Sequence, residues 1–264
     1  MEKLIDTHCH LNFDSFSNDL VDVLERADKA GVTRMIIPAT DLDTSRSALR
    51  LSESRDGLFA AIGVHPNDAQ IWQPGFVSDL ETIAGSPKVK AVGEIGLDFY
   101  RQHATPQDQR EAFVSQLKLA EKVNLPVIIH CRSAFQEIYP LVLNWVNGLI
   151  KSGNPLASLP GVFHSFEGNL EEAQMILDLG FMIGVTGPVT YTNALERQTT
   201  IGALPLDHLV VETDAPFLTP QPFRGKRNQP EYITYIIDKI ALLKDLPYNT
   251  VAEATTKNAS VLFR

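Results

Sequence analysis

Cysteine is scarce: Cys9 and Cys131 are the only two in 264 residues, and each stands beside a histidine inside an apolar run. That usage suits reduced cytosolic thiols better than a disulfide framework. Basic charge is also in deficit, with 23 Lys and Arg against 32 Asp and Glu, a formal net charge of -9 and a pI of about 5.2. Broad electrostatic adhesion to duplex nucleic acid or to anionic membranes is therefore not expected, and any phosphate-bearing partner must be held locally. A long apolar run is missing as well. Met1-Glu2-Lys3-Leu4-Ile5-Asp6 shows no charged segment leading into one, so neither a signal peptide nor a membrane span is expected, and the expected location is cytoplasmic.

Hydrophobic residues, at 44%, are enough for one large core, and the length sits near the roughly 250 residues of a single TIM barrel. A single domain over residues 1–264 is the expectation. Short β-branched runs alternate with amphipathic segments. Strands are predicted at Leu4–His10, Arg34–Ala39, Leu58–Val64, Val89–Ile95, Pro126–His130, Gly161–His164, Phe181–Thr186 and Leu209–Glu212. A helix is predicted after Ser17 through Leu20, Val23, Leu24 and Ala27, ended by Gly31. Lys151–Pro160, with Gly153, Pro155 and Pro160, reads as a loop on the side away from the chemistry.

Parallel neighbours need long crossovers and burial on both faces, so eight such runs point to a parallel sheet with helices around it. A doubly wound open sheet has the same periodicity. The placement of polar residues favours a (β/α)₈ barrel.

His8 and His10, two apart on a strand, project from one face while Cys9 points away. Two imidazoles side by side can chelate an ion. Glu94, His130, His164 and Asp214 each stand at or just past the end of another apolar run. In TIM barrels the active site is built at that face from several strand ends. Isolated hydrogen-bonding residues would explain one or two of these positions; metal binding explains the set. Four imidazoles with two or more carboxylates exceed the usual ligands of one catalytic zinc and fit two divalent ions bridged by a carboxylate.

Asp214 is then also placed to accept a proton from the attacking water. Glu212, on the same face, is either a ligand or a group that orients a neighbouring histidine. His65, in Gly63-Val64-His65-Pro66, closes the third strand at the same rim, as a donor to a substrate phosphate or as a loop-fixing hydrogen bond. Arg132 offers a bidentate contact from that edge. Arg224, Lys226 and Arg227 add positive charge beyond the last strand, either to grip a phosphate backbone or as a solvated loop. His103, in a polar loop, and His208, before a strand, carry less weight.

These residues fall in Ile5-Asp6-Thr7-His8-Cys9-His10, Gly63-Val64-His65-Pro66, Gly93-Glu94-Ile95-Gly96-Leu97-Asp98, Val127-Ile128-Ile129-His130-Cys131-Arg132, Phe163-His164-Ser165-Phe166, Glu212-Thr213-Asp214-Ala215-Pro216 and Arg224-Gly225-Lys226-Arg227-Asn228. In that order the blocks closely resemble the TatD family of metal-dependent deoxyribonucleases, within the amidohydrolase-like barrels. The resemblance implies His8, His10, Glu94 and Asp214 at one metal, and a bridging Glu94 with His130 and His164 at the other. It also implies phosphodiester cleavage, commonly from the 3′ end of DNA, with magnesium or manganese.

Three functions follow as expectations. The leading one is a two-metal 3′–5′ exodeoxyribonuclease on single-stranded ends, using Mg²⁺ or Mn²⁺, with Zn²⁺ a further candidate, DNA as its partner and no obligate protein partner. An amidohydrolase-type hydrolase of a small C–N or ester substrate is second. A non-catalytic metal or nucleic-acid binder is last, since binding alone needs no proton-handling carboxylate.

Overall fold

A computed structural model describes residues 3–101 and 103–264. The predicted periods become eight parallel strands: β1 (Leu4–Asp6), β2 (Val32–Pro38), β3 (Leu58–Ile62), β4 (Val89–Asp98), β5 (Val127–Arg132), β6 (Gly161–Phe163), β7 (Met182–Val185) and β8 (Leu209–Val211). They pair in chain order, each parallel to the next. Helices fill the crossovers: α1 (Leu20–Lys29), α2 (Leu42–Glu53), α3 (Gly75–Ala84), α4 (Pro106–Val123), α5 (Phe135–Ser152), α6 (Leu170–Asp178) and α7 (Leu195–Ala203), with α8 (Ile233–Lys244) and α9 (Tyr248–Leu262) after the last strand. The fold is a TIM-like barrel, nearly closed.

Each strand delivers one apolar side chain to the inner core: Ile5, Ile36, Ala61, Ala91, Ile128, Val162, Met182 and Val210. Ala259, Leu262 and Phe263 join that cluster from the end of α9, with Leu159, just ahead of β6, packed against it. The barrel interior is therefore filled with side chains below the strand ends, as close packing requires. A second, larger cluster lies between the strands and the helices. This double burial explains why the strands read as continuous apolar runs.

Between β8 and β1 the ladder is replaced by a few bonds beyond the strand ends. Thr7 N–H donates to Val211 O at 3.2 Å, Asp214 N–H to His8 O at 2.8 Å and His10 N–H to Ala215 O at 2.7 Å. Buried Asp6 reinforces the seam, accepting from the Thr213 hydroxyl at 2.6 Å and the Thr213 N–H at 2.9 Å. The seam thus draws His8, His10 and Asp214 together through backbone pairing.

Several boundaries differ from the sequence reading. β1 stops at Asp6, so His8 and His10 lie past it, with Cys9 bridged to Ala215. The alternation survives because Cys9 is buried toward the Ile36 carbonyl. β4 runs on from Ile95 to Asp98 and β5 from His130 to Arg132, since the two strands keep pairing through Asp98 and Arg132. α5 extends through Ser152, and Pro155–Ser158 forms a turn of 3₁₀ helix, so the expected loop from Lys151 to Pro160 is shorter and partly ordered.

Candidate metal centre

Glu94 is aimed by an irregularity in β4. The register with β5 shifts between Val92 and Ile95, placing an extra residue in β4 there, and such a bulge re-aims a side chain. The Glu94 N–H bonds across to Ala39 O at 3.0 Å, and the carboxylate is buried at 3% exposure. Its two oxygens face different partners. Oε2 lies 3.4 Å from His8 Nε2 and 3.8 Å from His10 Nε2. Oε1 lies 2.7 Å from His130 Nδ1, 3.2 Å from His164 Nε2 and 3.7 Å from His65 Nε2. Asp214 Oδ1 stands 3.6 Å from His8 Nε2 and 3.5 Å from His10 Nε2.

His8 Nε2 and His10 Nε2 are 3.2 Å apart in a buried site. Two imidazole nitrogens that converge there on carboxylate oxygens form a donor set suited to a cation. On the far side His65, Glu94 and His130 present donor atoms close to one another. His164 bridges the two groups in space, its ring stacked at 3.8 Å on His8 and 3.2 Å from Glu94 Oε1. The residues present fit divalent ions.

Electrostatics agree with that fit. Burial opposes ionisation of Glu94, but the imidazoles of His164, His65 and His8 and the His130 hydrogen bond outweigh it and hold the carboxyl well below its usual range. Burial likewise works against charge on Asp214, and His10, His164 and His8 overcome it. His164 and His130 are the reverse case: burial disfavours their protonation, yet Glu94 with Glu212 raises the first and Asp98 with Glu94 the second. Anionic oxygens in this site demand positive charge.

Three neighbours orient the centre. Glu212, fully buried, accepts from Ser165 N–H at 2.5 Å and from the Thr7 hydroxyl at 3.1 Å, and its Oε1 is 3.2 Å from His164 Nδ1. Asp98 places Oδ2 at 3.1 Å from His130 Nε2 and takes the N–H groups of Tyr100 and Arg101 on Oδ1. Asp6 also takes the His8 N–H at 3.2 Å. Its burial outweighs these bonds and pushes its carboxyl up to about 7. Asp98 and Asp6 were not singled out in the sequence. The available signal was parity, Asp98 with Glu94 and Asp6 with His8, inside the same blocks.

The structure brings His8, His10, His65, Glu94, His130, His164 and Asp214 together, with Glu212 beneath His164. The cations are dispersed. Arg132 covers the Tyr100 ring at 4.1 Å and Arg224 the Tyr191 ring at 4.4 Å. Lys226 stands 5.6 Å from the Phe223 ring centre. Arg227 is engaged elsewhere: its guanidinium forms a bidentate pair with Asp19 at 2.8 and 2.6 Å, donates to Ser15 O and covers Phe16. It ties the loop after β8 to the start of α1. His103 and His208 are no part of the cluster.

Among the described residues no helix is long and apolar enough to cross a membrane. A family model described as TatD related DNase matches residues 5–264. The metal-dependent hydrolase YabD of Bacillus subtilis is 38% identical over 261 residues, covering 99% of each chain. A 3′–5′ ssDNA/RNA exonuclease TatD of Klebsiella pneumoniae is 36% identical over 266 residues, covering 98% of this chain and 97% of that one. The crystal structure of YjjV, a TatD homologue from Escherichia coli, superposes with a TM-score of 0.91 at 35% identity, covering 99% of this chain and 98% of that chain. A match over nearly the whole length, on a barrel whose strand ends carry the His, Glu and Asp cluster, places this chain in the family of TatD-related DNases, metal-dependent hydrolases.

Proposed function

We propose that the protein is a two-metal phosphodiesterase that trims single-stranded DNA from its 3′ end. One observation carries the reading: a single buried carboxylate, Glu94, turns one oxygen to His8 and His10 and the other to His130 and His164. His8, His10, Glu94 and Asp214 would hold one ion, and Glu94, His130 and His164 the other. Divalent ions in these positions supply Lewis acidity, activating water near neutral pH and neutralising charge on the phosphoryl oxygens. Mg²⁺ and Mn²⁺ are the proposed metals, with Zn²⁺ a further candidate. So many imidazoles suit a transition ion better than Mg²⁺, which prefers oxygen ligands.

The chain's own residues complete the chemistry. Asp214 Oδ1, ionised and at the rim of the cluster, takes the proton from the attacking water. His65 accepts from Asn67 N–H on Nδ1 at 3.0 Å, so the proton of its neutral ring sits on Nε2, which faces the centre. Burial depresses its pKa to about 3, so it donates as an uncharged group, to a nonbridging oxygen of the substrate. Arg132, the last residue of β5, and Arg224, on the loop after β8, are the proposed phosphate contacts. Glu212 and Asp98 orient His164 and His130. The small C–N or ester alternative is not favoured, because the full-length match is to a DNase family.

The deciding experiment incubates metal-reconstituted protein with end-labelled single-stranded DNA, duplex DNA and RNA and resolves products by length. Laddering from the 3′ end of the single strand is expected. Intact strands alongside cleavage of amide or lactone substrates would overturn the reading.

A further inference from the structure

Three aromatic rings are exposed among the described residues: Tyr100 at 66%, Phe217 at 50% and Tyr235 at 37%. Tyr235 belongs to α8 and packs with Phe223 and Tyr232. The other two stand two and three residues after carboxylates of the metal centre, Asp98 and Asp214. Tyr100 N–H donates to Asp98 Oδ1 at 2.9 Å, and Phe217 N–H donates to Asp214 O at 2.8 Å. Exposed aliphatics such as Val21, Ile150, Leu195 and Leu242 sit singly on helices, where isolated apolar side chains are ordinary.

Both rings are held in place. The Asn228 side-chain amide donates to Phe217 O at 2.6 Å and to Thr213 O at 2.7 Å, fixing the loop after β8. The Phe217 ring meets His10 and Phe13 at steep angles, 6.1 and 6.3 Å between centres, and Phe13 stacks on His10 at 4.5 Å. The Arg132 guanidinium covers Tyr100 from one side at 4.1 Å. β4 and β8 are four strands apart in an eight-stranded barrel, so the two loops stand across its mouth from one another. The metal centre lies between them.

Resting on the nuclease reading above, we infer that Phe217 and Tyr100 are stacking platforms for the nucleobases on either side of the scissile phosphodiester. Phe217 serves the side of His10 and Asp214, and Tyr100, backed by Arg132, the side of Asp98 and His130. Stacking accepts any base, since every base has a π-face, and an arginine beside the platform adds to it. It also accounts for how a chain of net charge -9 grips a polyanion with few free cations at the site. Bases in a paired duplex already stack on one another, so both platforms select unpaired ends.

The test uses metal-reconstituted protein and single-stranded oligonucleotides that carry a tetrahydrofuran abasic site at the last or the penultimate 3′ position. In the parent, either abasic site should lower kcat/KM roughly 5- to 100-fold, the range base–aromatic stacking supplies. Phe217→Ala should lower kcat/KM on the intact strand by a similar factor and abolish the abasic penalty at one position. Tyr100→Ala should do so at the other, and Phe217→Trp should restore the parent pattern. Thermal melting and metal content confirm that each variant is folded and loaded. Equal losses on intact and abasic strands would mark the rings as structural and overturn the inference, as would a parent indifferent to both abasic sites. A parent that cleaves no oligonucleotide would overturn the nuclease reading and the inference with it.

Discussion

Glu212 Oε1 lies 3.2 Å from Nδ1 of His164, across the interior from β8 to the end of β6. The contact holds the imidazole with Nε2 turned toward Glu94, and it requires space that Gly184 leaves, since a Cβ there would stand 2.4 Å from that same oxygen. Glu212→Ala should therefore weaken metal binding by roughly 10- to 100-fold, the usual cost of losing a group that orients a ligand. Gly184→Ala should act in the same direction by displacing the carboxylate. Metal titration with circular dichroism checks both; unchanged affinity in a folded Glu212→Ala variant would remove the role.

Chelation with EDTA should abolish hydrolysis while leaving the fold largely intact, because the inner core is aliphatic and complete below the strand ends. Re-addition of Mn²⁺ should restore activity, and at equal concentration more fully than Mg²⁺. Metal binding should also release protons at pH 7. In the metal-free protein the carboxylates of Glu94 and Glu212 raise His164 well above the ordinary histidine value and those of Asp98 and Glu94 raise His130, and a ligating imidazole must give up its proton. Affinity consequently rises with pH through the upper pKa values of these two rings. Calorimetry in buffers of different ionisation enthalpy reads the proton count, and a count of zero would contradict the charge assignment.

Asp214→Asn should lower kcat by roughly 10²- to 10⁴-fold, the range of general acid–base catalysis, with a smaller change in substrate affinity. The amide keeps the shape but does not take the proton. Metal content must be measured in parallel, since Asp214 also faces His8 and His10. Near-normal turnover at full occupancy would take the proton from another group.

The two arginines after β8 should separate cleanly. Arg224→Ala should weaken oligonucleotide binding and flatten its salt dependence, since fewer counterions are released, with turnover at saturation little changed. Arg227→Ala should leave the salt slope alone and cost about 1 kcal/mol of stability, as befits a partly exposed bidentate pair. The Arg227 hydrogen bonds hold Asp19 below its usual range. That contribution is present above about pH 4, where an unfolded Asp is ionised, and is lost as pH falls through the lower folded value. A salt slope that changes in Arg227→Ala instead would return this side chain to the binding surface.

Much of the centre was legible because strand geometry is local. His8 and His10 share a face by a period of two, and Glu94, His130, His164 and Asp214 announce themselves as polar residues closing apolar runs. The supporting contacts were harder to read. Asp98 meets His130 only because β4 and β5 remain paired past Ile95, and pairing length depends on the neighbour. Arg227 looked like one of three loose cations, but its partner Asp19 lies 208 residues away.

The sequence by itself determined the order of strands and helices, the apolar filling of the barrel and the identity of the donor atoms, since each follows from side-chain period and chemistry over a few residues. Tertiary structure alone decided that Glu94 turns its oxygens to two different histidine pairs, that Arg227 pairs with Asp19, and that the loops carrying Phe217 and Tyr100 stand on opposite sides of the barrel mouth. Those relations depend on where the β1–β8 seam closes and where β4 bulges, and the bonds that set both join residues far apart in the chain.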